Sequence, residues 1–241
     1  MTLAVMPKVL AFDVFGTVVN WRSSIVGECA KFLRQIDRSD LDPASFADTW
    51  RFRYIKVMAA YAASARDFTV LDVLHREMLD DTLRDKAIDP AKLDQGLLQD
   101  WTFAWRRLVP WPDSVAGLTR LKTGFPIVTL SNGNIALMLE LARRAGLPWD
   151  AILGAEVTRA YKPDPQAYLG TAKILGLAPG DICLVAAHHG DLAAARACGF
   201  KAAYISRPDE YGGRRAPDAD AAQDWEWSAE SLMDLAAQLG C

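Results

Sequence analysis

Cysteine is scarce: Cys29, Cys183, Cys198 and Cys241 are the four in 241 residues, with no CxxC pair and no metal-ligand spacing. At that density a disulfide framework is not expected, and the thiols read as buried or incidental. Long apolar runs are missing as well. No stretch approaches the roughly 18 residues a spanning helix needs, and no apolar segment follows a positive patch near the start, so the expectation is a cytoplasmic protein with no membrane partner. Nor is positive charge in surplus: 27 Lys and Arg stand against 30 Asp and Glu, the net charge is -3, and no basic face emerges to bind nucleic acid. Internal repeats and low-complexity tracts are absent. What remains is 51% apolar and 24% charged, a globular composition in a chain long enough for one large domain carrying a smaller inserted one.

Short apolar runs bounded by turn or polar residues recur at 9–12, 127–130, 182–187 and 202–205, with a weaker one at 151–153. They read as buried parallel strands. Helical patterns at 135–145, 165–175 and 192–198 separate the later runs, each long enough for a crossover. This alternation implies an open α/β sheet with right-handed connections. The stretch 21–105 breaks the rhythm, with several helix-length segments and no convincing strand. Ile25, Cys29, Phe32, Leu33 and Ile36 recur at helical spacing, and Phe46, Trp50, Tyr54, Val57, Met58 and Tyr61 form a second stripe. Leu71, Leu74, Met78 and Leu79 suggest a third helix, and Leu93, Leu97, Leu98 and Trp101 a fourth. The organisation expected is an α/β core of residues 1–20 and 106–241 with a helical cap of residues 21–105 inserted into it. Val109-Pro110-Trp111-Pro112 is a stiff connector back to the core, and 207–224, rich in Gly, Pro, Asp and Arg, reads as a long surface loop.

In an open α/β sheet, ligands bind beyond the carboxyl ends of the strands, and polar residues gather at such ends here. The first strand runs into Asp13-Val14-Phe15-Gly16-Thr17 and another into Ser131-Asn132-Gly133. A loop carries Lys162-Pro163-Asp164, and a further strand runs into His188-His189-Gly190-Asp191. Asp13, Ser131, Lys162 and Asp191, in that order, resemble the four motifs of the haloacid dehalogenase superfamily, and within it the type II 2-haloacid dehalogenases, over essentially the whole chain. The resemblance implies a Rossmann-like parallel sheet core with the helical cap inserted between the first two motifs. Phosphatases of the superfamily carry a second Asp two residues after the nucleophile and another acid in the last motif. This chain has Phe15 at the first position, and Leu192 to Arg196 after Asp191 include no carboxylate. The oxygen ligands that Mg²⁺ requires are therefore depleted, and neither a metal nor another cofactor is expected.

By that resemblance, Asp13 is the nucleophile that displaces halide from a small 2-haloacid, leaving an aspartyl ester that water then hydrolyses. Lys162 keeps it ionised, since a nearby ammonium lowers a carboxylate pKa by about 1–3 units. Thr17, Ser131 and N–H groups near Val14, Phe15 and Asn132 are candidate donors to the substrate carboxylate, although the two hydroxyls also suit loop backbone or helix capping. Arg51, in Trp50-Arg51 beside the second apolar stripe, resembles the family's halide-binding Arg, with Asn132 as a second donor to the halide. Tyr168 matches a family active-site Tyr and equally fits a core position. His188 stands where the best-known members have a Ser-Ser-Asn strand end. It either takes a proton from the hydrolytic water or only shapes the pocket, with Asp191 orienting it or Lys162. His189 is expected to point elsewhere and His75 to be structural or exposed. Among Phe15, Trp21, Tyr54 and Trp105, only Phe15 is expected to line the pocket. A homodimer is implied by the resemblance alone. Two rivals stand beside this reading: a superfamily phosphatase or phosphonatase, which would need a metal, and a silent member that binds a metabolite without turnover.

Overall fold

The computed structural model describes residues 6–63 and 67–241; the first five positions of the expected core and 64–66 of the expected cap lie outside them. Strands β1 (Val9–Phe12) and β2 (Val19–Asn20) lead into helices α1 (Trp21–Gln35), α2 (Pro43–Ala63), α3 (Leu71–Asp85) and α4 (Gln95–Thr102), and β3 (Val109–Pro110) leads out of them. Next come α5 (Ser114–Leu121), β4 (Ile127–Thr129), α6 (Ile135–Ala145), α7 (Ala155–Thr158), α8 (Pro165–Leu175) and β5 (Ile182–Ala186). The chain ends with α9 (His189–Ala197), β6 (Lys201–Ile205), β7 (Trp227–Ala229) and α10 (Leu232–Gln238). Five strands form one wholly parallel sheet in the order β4-β1-β5-β6-β7. It is an open α/β sheet of the Rossmann-like kind.

The strands are continuous apolar runs because both faces of the sheet are covered. In β1, Leu10 and Phe12 enter one apolar cluster and Val9 and Ala11 the other; in β5, Cys183 and Val185 face the first, and Ile182, Leu184 and Ala186 the second. Cys183 is thus a core thiol, its pKa pushed up by burial. The first cluster does not stop at the sheet. It runs on through the helical insertion, where Phe32 stacks on Trp101 at 3.4 Å between ring centres and Trp50 meets Trp101 and Trp105 edge-on at 5.5 and 5.4 Å. The two strand pieces that bracket the insertion, β2 and β3, pair antiparallel and hold its entry and exit together. None of the described helices is long and apolar enough to cross a membrane.

Three departures from the expected elements have physical causes. The 151–153 run forms single bridges, Val128 to Ala151 and Ser131 to Gly154, because Asp150 and Thr129 side chains take up backbone donors there that a ladder would use. β7 is an extra strand, only three residues long at the sheet edge and half solvated, so no apolar run announces it. The 207–224 loop is not all surface, since Glu210 within it is 2% exposed.

Phe12 lies opposite both Thr129 and Val185. Three neighbouring strands therefore end at one level, and β1 has its successor β4 on one side and β5 on the other. That is a topological switch point, the crevice where open α/β sheets hold ligands.

Candidate active site

The Asp13 N–H still donates to Val185 O at 3.0 Å, so the carboxylate sits one residue past the last rung of β1, only 7% exposed. The chain then turns sharply at Gly16, whose φ of +90° suits a residue without Cβ. The turn brings the Thr17 hydroxyl back to donate to Asp13 Oδ2 at 2.7 Å, while its oxygen accepts from Ala187 N–H at 2.9 Å. Lys162 arrives from the segment before α8, a helix started by the Asp164 cap and Pro165 in its first turn. Its ammonium donates to Asp13 Oδ1 at 2.9 Å and to Asp191 Oδ2. The other oxygen of Asp191 accepts from the Tyr168 hydroxyl at 2.6 Å. His188, just before α9, sets Nδ1 3.2 Å from Asp13 Oδ2 and Nε2 3.0 Å from Glu210 Oε1.

Burial on its own would raise the Asp13 pKa, but the Lys162 charge and the hydrogen bond and charge of His188 overcome it and hold the carboxyl well below the usual range. Lys162 shows the mirror image: burial opposes its charge, Asp13 and Asp191 restore it, and its pKa ends above that of a free lysine. Burial also opposes the His188 charge, yet Glu210 and Asp13 raise that group well above an ordinary histidine. Tyr168 is pushed up by burial and by Asp191, so it stays a phenol donor.

These groups floor a cavity of about 280 Å³ whose wall includes Asp13, Phe15, Arg51, Asn132, Lys162, His188 and Asp191. Arg51 reaches in from α2, its guanidinium 4.3 Å above the Tyr54 ring and 5.3 Å from the Trp21 ring, with no carboxylate partner among the described residues. Asn132 is more engaged than a free donor: its amide N–H₂ donates to the Tyr54 hydroxyl at 2.9 Å and to Lys162 O at 3.3 Å, and its oxygen accepts from Lys162 N–H at 2.8 Å. Four expected residues stand behind the wall. Val14 is core, Thr17 steadies Asp13, Tyr168 steadies Asp191, and the Ser131 oxygen accepts from Gly133 N–H at 3.1 Å. His189 turns away to stack on Tyr204 at 4.3 Å, and His75 is buried, stacked on Trp105 at 4.6 Å, with burial and then Arg51 lowering its pKa.

The fold invites the question of a Mg²⁺ ion, and the donor set does not suit one. Phe15 occupies the position of a second acid, an ammonium already bridges Asp13 and Asp191, and no cluster of three His, Cys, Asp or Glu among the described residues is arranged to hold a metal.

A profile described as haloacid dehalogenase-like hydrolase matches residues 7–199. The chain belongs to the haloacid dehalogenase-like hydrolases. Among relatives within that family, an (S)-2-haloacid dehalogenase of Xanthobacter autotrophicus is 31% identical over 84% of this chain and 76% of its own length. The crystal structure of a defluorinating L-2-haloacid dehalogenase superposes with a TM-score of 0.94 at 48% identity, covering 98% of this chain and 96% of that one. A phosphoglycolate phosphatase of Neisseria meningitidis also matches, at 25% identity over 95% of this chain and 92% of its own length.

Two site features of this haloacid dehalogenase-like hydrolase escape a reading of its motifs. Tyr54 belongs to a helical stripe that reads as core, yet it lines the cavity beneath Arg51. Glu210 lies in a stretch whose composition reads as solvent-exposed, and no local spacing signals its burial against His188.

Proposed function

We propose that this protein hydrolyses small 2-haloacids to 2-hydroxy acids without a metal, with Asp13 attacking the carbon that bears the halogen. The observation that carries the reading is an ionised, doubly clamped carboxylate facing, across a small cavity, a guanidinium with no carboxylate partner among the described residues. An oxygen of Asp13 forms the new C–O bond as the C–X bond breaks, and the halide leaves with the electron pair toward Arg51. Lys162 holds the nucleophile ionised and in place. Backbone N–H groups of Val14, Phe15 and Asn132 donate to no acceptor among the described residues, which suits them to receive the substrate carboxylate. Thr17, Ser131 and Tyr168 then act by fixing Asp13, the 131–133 loop and Asp191. Water next attacks Cγ of the ester, with His188 as its base. Residues 21–105 serve as a cap domain that supplies Arg51 and Tyr54, residues 1–20 and 106–241 form the core, and the homodimer belongs to the same proposal.

The similarity to (S)-2-haloacid dehalogenases supports the carbon–halogen bond as the target, with the (S) enantiomer of a 2-haloacid as substrate. Halide release from chloro-, bromo- and fluoroacetate and both 2-chloropropionate enantiomers is the test, and EDTA should leave it undiminished. Phosphate-ester hydrolysis that requires Mg²⁺, with no halide release, would establish the phosphatase reading instead. A single turnover in ¹⁸O water with enzyme in excess checks the nucleophile: label should enter the Asp13 peptide, leaving the first product unlabelled. Label in the product alone would reduce Asp13 to a general base.

A further inference from the structure

We propose that Glu210 selects which nitrogen of His188 gives up a proton, so that His188 waits as an imidazolium during halide displacement and becomes a base only after Asp13 has been spent in the ester. The inference rests on the dehalogenase reading above and goes beyond it in naming the residue and the timing. Nδ1 faces Asp13 at 3.2 Å and Nε2 faces Glu210 at 3.0 and 3.1 Å. A neutral imidazole has one N–H and would turn a lone pair toward one of those carboxylates; only the cation donates to both. Glu210 cannot drift away from this contact. It is 2% exposed, its Oε1 also accepts from Trp21 Nε1–H at 2.9 Å, and its tip fills the space where Gly16 lacks a side chain, a Cβ there falling 2.2 Å from Oε1.

The turn that carries Glu210 is bolted down as well. Glu210 N–H donates to Arg207 O, and the buried Arg207 guanidinium grips Asp113 with two bonds of 2.8 and 3.0 Å and donates to Thr17 O at 2.9 Å. Lys162 and Asp191 share the cavity wall with His188 beyond Asp13, and the titratable groups that feel its charge are His189 on α9 and the Tyr204 and Tyr211 phenols. Burial lowers the pKa of His189 and raises those of both phenols, that of Tyr211 to about 12. Asp13 is the group whose charge changes during turnover.

The proton count closes. Ester formation removes the Asp13 charge, leaving His188 with a single carboxylate, Glu210, which retains the Nε2 proton. The Nδ1 proton then passes to solvent, the one proton each dehalogenation must release. Nδ1 now faces the ester with a lone pair and takes a proton from water as the water oxygen bonds to Cγ. Collapse breaks the bond between Cγ and the product oxygen, which takes that proton. The Asp13 carboxylic acid so formed returns its own proton to Nδ1, restoring the starting state. Glu210 is a positioning residue in this scheme, much as the third member of a Ser-His-Asp triad fixes its imidazole.

Rapid-quench kinetics of Glu210→Gln with (S)-2-chloropropionate tests the idea. The first halide should appear within a few-fold of the wild-type rate as a burst of about one per site, while ester hydrolysis slows by about 10²-fold or more, the usual scale of acid–base assistance. Mass spectrometry should find the adduct on the Asp13 peptide, and the rising limb of hydrolysis against pH should move to lower pH. Equal slowing of both steps, or no burst, overturns the inference. Should the variant not fold, ¹⁵N-histidine NMR of the wild type decides: with three histidines in the chain, the His188 signals should report both nitrogens protonated at pH 7, and a neutral ring overturns the proposal. Wild-type enzyme that releases no halide from any haloacid refutes the dehalogenase reading itself, an outcome distinct from halide release without partition in the variant.

Discussion

Asp13 has two flanks built on one plan, each a cation shared with a second carboxylate: Lys162 with Asp191 on one side, His188 with Glu210 on the other. The difference lies in what each cation can do when the shared charge disappears. An ammonium between carboxylates, already held above the ordinary lysine range, keeps its protons in neutral water whether or not Asp13 is esterified. An imidazole titrates near neutrality, so losing one of its two carboxylates is enough to release a proton. In the proposed reaction, one flank therefore holds charge still and the other moves it.

The severest way to break the comparison is to remove what both flanks share. Asp13→Asn should abolish turnover, a loss on the order of 10⁶ for a covalent nucleophile, while circular dichroism shows a folded protein because the change is nearly isosteric. Retained halide release would take the nucleophile away from Asp13. Next comes the static flank. Lys162→Met should slow halide displacement by about 10³, the upper end for one preorganised donor, and should also change its pH dependence. With the ammonium gone, the depressed Asp13 pKa rises, so activity is lost as pH falls through a higher value than in the wild type. An acid limb that does not move would mean that Lys162 is not what depresses Asp13.

Arg51→Ala leaves both flanks intact and should cost about 10² in halide displacement with little change in melting temperature. Unchanged kinetics would return Arg51 to a packing role over Tyr54 and Trp21. The smallest change is Tyr168→Phe, which deletes one hydrogen bond to Asp191. It should lower stability by about 1.5–3 kcal/mol, as for a bond to a charged group, leaving the burst behaviour of the second step alone. Chemical denaturation measures the first, and quench kinetics checks the second.

The two flanks also differ in how well the sequence discloses them. Lys162, Asp191 and Tyr168 stand at strand ends or helix starts in motif order, and the strands that set them are legible because burial on both faces forces unbroken apolar runs such as Val9 to Phe12. His188 is legible for the same reason at the end of β5. Glu210 is not, because its burial is produced by Trp21, 189 positions away in the chain, and its neighbours Pro208, Asp209 and Gly212 have the composition of a solvated turn. At Asn132 and Ser131, local backbone groups take up donors and acceptors that composition leaves free for a ligand. Tyr54 fits its helical stripe, and its contacts with Arg51 above its ring and with the Asn132 amide bring it to the cavity.

The apolar cluster that runs from Leu10 and Phe12 into the Phe32, Trp50 and Trp101 stack bears on how the molecule comes apart. A helical insertion with its own sealed interior would melt as a separate unit, whereas here opening either part exposes the aromatic surface of both. Scanning calorimetry should accordingly give one endotherm whose calorimetric and van't Hoff enthalpies agree. Native-state hydrogen exchange should protect the inward amides of α1 and α4 as strongly as those of β1, the two belonging to a single cooperative unit.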